Sequence, residues 1–76
     1  MNSITRQVES ILSESVGDFI AKATVKKNCE LIGTTMDTLT FDQLPELADK
    51  IGISVSFFSD KDAGSKVAQR VRDIKA

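Results

Sequence analysis

Apolar residues recur at helical spacing in four stretches of this chain, with turn-prone residues between them. In the first, Ile4, Val8, Ile11 and Leu12 sit at i, i+4, i+7 and i+8, one stripe of a 3.6-residue period, while Arg6, Glu9, Ser10 and Ser13 lie off it. This predicts a helix over about residues 2–14, with Asn2 or Ser3 offering a side-chain oxygen to the first turn. A second helix is predicted over about 16–32. Here Val16, Phe19, Ile20 and Ala23 form one stripe, and Ala21, Val25, Cys29 and Ile32 form another on nearly the opposite side. A helix apolar on two faces is either central in its fold or shared with a partner chain. Ser15 suits its N-cap, Asp18 its first turn and Gly33 the position just past its end. Ser13, Ser15 and Gly17 weaken helical continuity, which favours a break between the first two helices over one bent rod.

Residues 33–41 form a connection whose apolar members, Met36, Leu39 and Phe41, are expected to tuck onto the core. Thr40 followed by Gln43 fits a capping box, and Pro45 then belongs in the first turn, where a missing N–H costs least. The third segment has two readings. Ile53, Val55 and Phe57 alternate with Ser54 and Ser56 as in a strand, yet Leu44, Leu47, Ala48, Ile51, Val55 and Phe58 continue a helical stripe. A strand needs a partner, and the Thr-rich connection alternates poorly; an isolated two-stranded pairing is marginal in water. A helix over about 42–58 is therefore favoured, with Gly52 costing ~1 kcal/mol inside it. The last helix is expected over about 62–75, capped by Ser59 or Asp60. Its stripe is Val67, Val71 and Ile74, with Ala63, Gly64 and Ala68 nearby and basic residues gathered toward its C-terminus. Four short amphipathic helices predict one all-α domain spanning 1–76, a compact bundle or array.

Composition narrows the chemistry. The 76 residues include no His, no Trp, no Tyr, one Cys and one Pro. Without His there is no Ser-His or Cys-His nucleophile pair and no imidazole ligand, and one Cys allows neither an intramolecular disulfide nor a thiolate zinc site. No GxGxxG or GxxxxGK occurs, and Asp60-Lys61-Asp62 lacks the ligand number of a calcium loop. No enzyme activity, cofactor or metal is expected. No apolar run approaches the ~18 residues that span a bilayer, and Met1–Arg6 lacks a signal-peptide layout, so a soluble cytoplasmic domain is expected.

Charge is unevenly spread although the net is −1. Residues 37–62 carry six acidic against two basic side chains, and residues 63–76 carry four basic against one acidic. Solvated helix faces with i,i+4 pairs such as Asp18–Lys22, Lys26–Glu30 and Glu46–Lys50 account for this most simply; opposed faces recruiting a charged partner are the alternative. A DNA-binding reading rests on residues 42–59, where Ala48 and then Gly52 resemble a degenerate helix-turn-helix. Its recognition segment, Val55–Asp60, has no Arg, Lys, Asn or Gln to read base edges. Phosphate contacts would fall to Lys22, Lys26, Lys27 and the last helix.

The surplus of apolar residues is more informative. Phe57 and Phe58 are adjacent, so one helix face cannot bury both, and the second helix is apolar on opposite sides. The expected activity is protein–protein contact through an apolar helix face, with Val25, Cys29, Ile32 and Phe57 as the candidate interface and a second copy of the chain as one candidate partner. The order Val16-Gly17-x-Phe19, Lys27-x-Cys29-x-x-Ile32-Gly33, Thr38-Leu39-Thr40-x-Asp42-x-Leu44-Pro45-x-Leu47-Ala48-x-x-Ile51, then Phe58, Ala63, Val67 and Val71-x-x-Ile74, resembles a small all-helical domain of archaea and bacteria. That domain has no characterised function and occurs alone or at the ends of regulatory and signalling proteins. The resemblance implies an accessory interaction module and a long third helix, and it carries over no site residue.

Overall fold

The Asn2 side-chain oxygen accepts the Thr5 N–H at 2.9 Å, and from this cap α1 runs over Ser3–Val16. The computed structural model describes residues 1–75, with α2 over Asp18–Leu31, a 3-10 turn at Phe41–Gln43, α3 over Leu44–Phe58 and α4 over Lys61–Arg72. Among the described residues no strand forms, and the all-α expectation is borne out. A single residue separates α1 from α2. Gly17 has φ +82° and ψ 165°, a combination essentially reserved for glycine; its N–H bonds the Ser13 carbonyl and its own carbonyl accepts from Ala21. The expected break therefore exists, but Ser15 is not the N-cap of α2, because α1 continues through it.

Helix α2 ends as anticipated at Gly33, in a Schellman arrangement. Thr34 N–H bonds the Cys29 carbonyl at 2.9 Å and Gly33 N–H bonds the Glu30 carbonyl at 3.1 Å. The connection that follows is held by its own hydroxyls, Thr34, Thr35 and Thr38, and is fastened to α1 by the buried Thr5 hydroxyl, 2.8 Å from the Met36 carbonyl oxygen. Leu39 is buried and Met36 packs on the core, whereas Phe41 stays at the surface. The Thr40–Gln43 capping box forms, but it opens a 3-10 turn, so the α-helix begins at Leu44 instead of residue 42.

Residues 53–58 are helical, which removes the strand alternative. The apolar row Leu44, Leu47, Ala48, Ile51 and Val55 is buried throughout. It meets Val8 and Leu12 of α1, Val25 and Cys29 of α2, and Val67 and Val71 of α4 in one core. Asp60 caps α4 by accepting the Ala63 N–H at 2.7 Å. This helix stops at Arg72, three residues short of the predicted end, and Ile74 packs on the core from beyond it.

The largest helix–helix contact is between α3 and α4. Two glycines set their separation. A Cβ on Gly64 would lie under 3.0 Å from both the Ser56 Oγ and the Gly52 carbonyl oxygen, so the backbones approach as closely as only Gly at that position allows. Across the core, the buried Asn28 amide donates to the Thr24 carbonyl at 2.8 Å and to Ser54 Oγ at 3.2 Å, tying α2 to α3.

Candidate functional site

Helix α2 has the two apolar stripes its sequence suggested, and the fold assigns them in the opposite sense. Val25 and Cys29 are completely buried in the chain's own core, and Ile32 is half-buried against it, so these three do not form a face open to a partner. Of the proposed interface residues only Phe57 is exposed, at 86%. The other stripe of α2 points outward, with Phe19 84% exposed, Ala23 exposed and Ile20 half-buried.

Helical geometry explains the placement on α3. Relative to the buried row at 44, 47, 48, 51 and 55, positions 53 and 57 fall on the far side, one turn apart. Ile53 is accordingly 58% exposed. Phe58, one residue on, swings toward α2 and is 62% exposed. It lines a groove of about 170 Å³ between α2 and α3 together with Ile20, Ala23, Lys27 and Ser54. The end of α3 and the start of α2 thus lie at the same end of the bundle; Phe19, one residue before Ile20, is turned about 100° from it around α2 and does not line the groove. Phe57 and Phe58 are both exposed at the end of α3. With ~200 Å² for a whole Phe side chain, their exposed parts and that of Ile53 amount to roughly 400 Å² of apolar surface. That is within the range of the largest apolar patch on an ordinary monomer. Phe57, off the main stripe of α3, was the sequence signal for this face; the contribution of α2 was not visible because both its stripes read alike.

The charged residues take positions that sequence pairing did not anticipate. Among the described residues, ion pairs connect separate elements instead of closing the i,i+4 pairs. Arg70 of α4 binds Glu14 of α1 through two bonds of 2.9 and 3.0 Å. That contact holds the Glu14 carboxyl below its usual pKa and raises that of Arg70, by hydrogen bonding first and charge second. Arg72 likewise pairs with Asp49 of α3. One of these pairs, Arg72–Asp49, joins the basic segment to the acidic one, and two of the basic residues available for phosphate contact are already engaged.

Residues 42–59 do not form a helix-turn-helix. The motif requires a turn at Gly52, and α3 runs unbroken through that residue because Gly52 serves the approach to α4. Cys29 is buried, and desolvation, then the charge of Glu30, pushes its thiol pKa up, the reverse of what activates a nucleophile. Among the described residues no group of three or more His, Cys, Asp or Glu side chains is placed to hold a metal ion, and no helix is long and apolar enough to cross a membrane. Comparison of the chain with protein-family models, with curated proteins and with solved structures finds no match.

Proposed function

We propose that this chain is a non-catalytic protein–protein interaction module, an accessory or regulatory element acting in the cytoplasm through an apolar helix face. The face is the outer side of α3 at Ile53, Phe57 and Phe58, bordered across the groove by Ile20 and Ala23 of α2. The observation that carries this reading is the exposure of Ile53, Phe57 and Phe58 along the end of α3 in an 8.3 kDa chain. Burying one such side chain is worth ~1.5–3 kcal/mol, so a small domain with a thin stability margin leaves much of its apolar content unused in its own core. Docking against a partner recovers that contribution, and aromatic residues at the centre of a patch are the usual anchors. The lack of His and the raised thiol of Cys29 support a binding role over a catalytic one.

The test is retention from native extract on immobilised wild-type chain, Phe57→Asp and a control, Lys66→Glu on α4. A partner held by wild type and control but lost with Phe57→Asp is expected, with residues 53–58 protected from surface labelling in the complex. Equal retention by Phe57→Asp overturns the assignment of the surface.

A further inference from the structure

We infer that the groove between α2 and α3 captures the carboxyl terminus of a partner polypeptide that ends in an apolar residue; this rests on the contact reading above and specifies what the partner brings to it. The groove of about 170 Å³ has apolar walls, Ile20 and Ala23 of α2 and Phe58 of α3. It is not wholly apolar, because Lys27, Asn28 and Ser54 line it too. Asn28 is only 2% exposed, and both protons of its amide are spent, one on the Thr24 carbonyl and one on Ser54 Oγ. Among the described residues no donor reaches its Oδ1; that oxygen is not sealed inside the chain, so the groove is its outlet. Ser54 accepts the amide bond and, unlike Ser56, returns no proton to its own helix among the described residues, which leaves its hydroxyl free to donate. Lys27 is exposed and in no ion pair among the described residues, and no carboxylate lines the groove.

These groups define their occupant. Asn28 Oδ1 calls for an N–H, Lys27 and the Ser54 hydroxyl for an anion, and the walls for an apolar body. The space is smaller than the ~300 Å³ at which small-molecule pockets begin, so one side chain fills it and all three groups must come from the same residue. A chain-terminal apolar residue carries them on one Cα: an apolar side chain, an amide N–H and a carboxylate. An internal apolar residue lacks the carboxylate, and an Asp or Glu that brings one lacks the apolar body. The rest of the partner has a surface to lie on. Phe57, 86% exposed, is the i+3 neighbour of Ser54 on the outside of α3, and Ile53 precedes it by one turn. A free apolar carboxylic acid would fill the groove and leave that surface bare, which favours a polypeptide. Capture of a terminal carboxylate is a known mode of peptide recognition, and here side chains supply the donors.

The probe is the peptide Gly-Ser-Phe-Ser-Leu, with a free or an amidated carboxyl end, titrated into the whole chain to ~1 mM and followed by two-dimensional amide NMR. The free-acid peptide is expected to shift the Asn28 side-chain amide and the backbone signals of Lys27, Ser54 and Phe58. Amidation removes the charge-assisted bonds and should weaken binding ~10-fold. Lys27→Gln should weaken the free-acid peptide by a similar factor and leave the amidated one unchanged. Lys26→Gln, on α2 but outside the groove, should alter neither. A terminal Ala in place of Leu should lose ~10-fold. N-acetyl-leucine carries the same three groups without the rest of a chain and should bind more weakly; equal affinity assigns the groove to a small carboxylic acid and overturns the peptide assignment. Equal binding of the free and amidated peptides, or an effect of Lys26→Gln matching that of Lys27→Gln, overturns the inference. An absence of shifts at ~1 mM overturns it as well; Phe57-dependent retention from extract then leaves the contact reading standing, and its loss removes both.

Discussion

Replacing Gly64 with Ala tests the α3–α4 packing directly, because two opposing effects of known size meet there. Gly64 is a buried residue inside a helix, and in a free helix Ala is better by ~1 kcal/mol. Against this, the new Cβ would sit under 3.0 Å from the Gly52 carbonyl oxygen and the Ser56 Oγ, and 3.2 Å from the Ser56 backbone nitrogen. The Ser56 hydroxyl donates to the Gly52 carbonyl at 2.8 Å, so moving it breaks that bond, and the carbonyl itself is backbone. The helices must separate, and a gap of ~0.5–1 Å forfeits a quarter to a half of each dispersion contact along the seam. Overpacking of this kind costs ~1–3 kcal/mol, and more where backbone cannot yield. The net expectation is a loss of about 2 kcal/mol, or about 10 °C in Tm for a domain of this size. Urea unfolding followed by circular dichroism reads it as a lower midpoint with unchanged slope. Gly52→Ala is the control. Its Cβ would meet Ala68 Cβ at 3.1 Å and the Gly64 carbonyl at 3.3 Å, tight but not overlapping, so propensity and crowding roughly cancel. Adding Ser56→Ala to Gly64→Ala removes one conflict and should recover part of the loss. A Gly64→Ala protein as stable as wild type would refute the close approach of these helices.

Further outcomes follow from the same structure. Val25→Ala should cost about 2 kcal/mol by leaving a cavity in the core, whereas Phe57→Ala should stay within ~0.5 kcal/mol; paired denaturant curves decide whether α2 faces inward at Val25. The Glu14–Arg70 pair lowers the carboxyl pKa in the folded chain, so its contribution is present at neutral pH and is lost as pH falls through the folded pKa, below the ordinary carboxylate range. Stability curves of wild type and Glu14→Gln should therefore converge on acidification, and a gap persisting at low pH would exclude the pair as its source. Burial raises the Cys29 thiol, so its contribution is intact below the unfolded pKa of ~8.5 and is lost as pH rises through the folded value. Thiol labelling at pH 8 should be slow and should accelerate together with unfolding in urea; fast labelling of the folded chain contradicts a buried Cys29.

The number, order and approximate bounds of the helices were legible because each is written locally. Amphipathic spacing, the Thr40–Gln43 box, Pro45 in a first turn and Gly33 after a helix act over three or four residues, wherever the rest of the chain lies. The ends shifted where a tertiary contact or a special backbone conformation took over. Gly17 alone could make the one-residue turn, so α1 passed through Ser15. Likewise, α4 gave up its last residues as Ile74 turned onto the core.

Phe57, off the main row of α3, was a candidate contact residue from the sequence and is exposed, so that part of the candidate site was readable, whereas Ile53 entered only through the strand-like alternation. On α2 the Phe19 and Val25 stripes have comparable apolar content, so local pattern alone could not say which would face inward. Neighbouring helices decided it, by placing the Val25 side against the core residues of α1 and α3. Gly52 and Gly64 show the same division. Along the chain each is a weak point in a helix, although Ala48-x3-Gly52-x3-Ser56 and Gly64-x3-Ala68 do form matched rows of small residues. Only when the rows are set against each other does the missing Cβ become a contact, because close approach is a property of two helices and not of one. The sequence by itself determined four amphipathic rods and their stops; the tertiary structure decided which stripe of each is core and which remains for another molecule, since burial depends on what stands opposite.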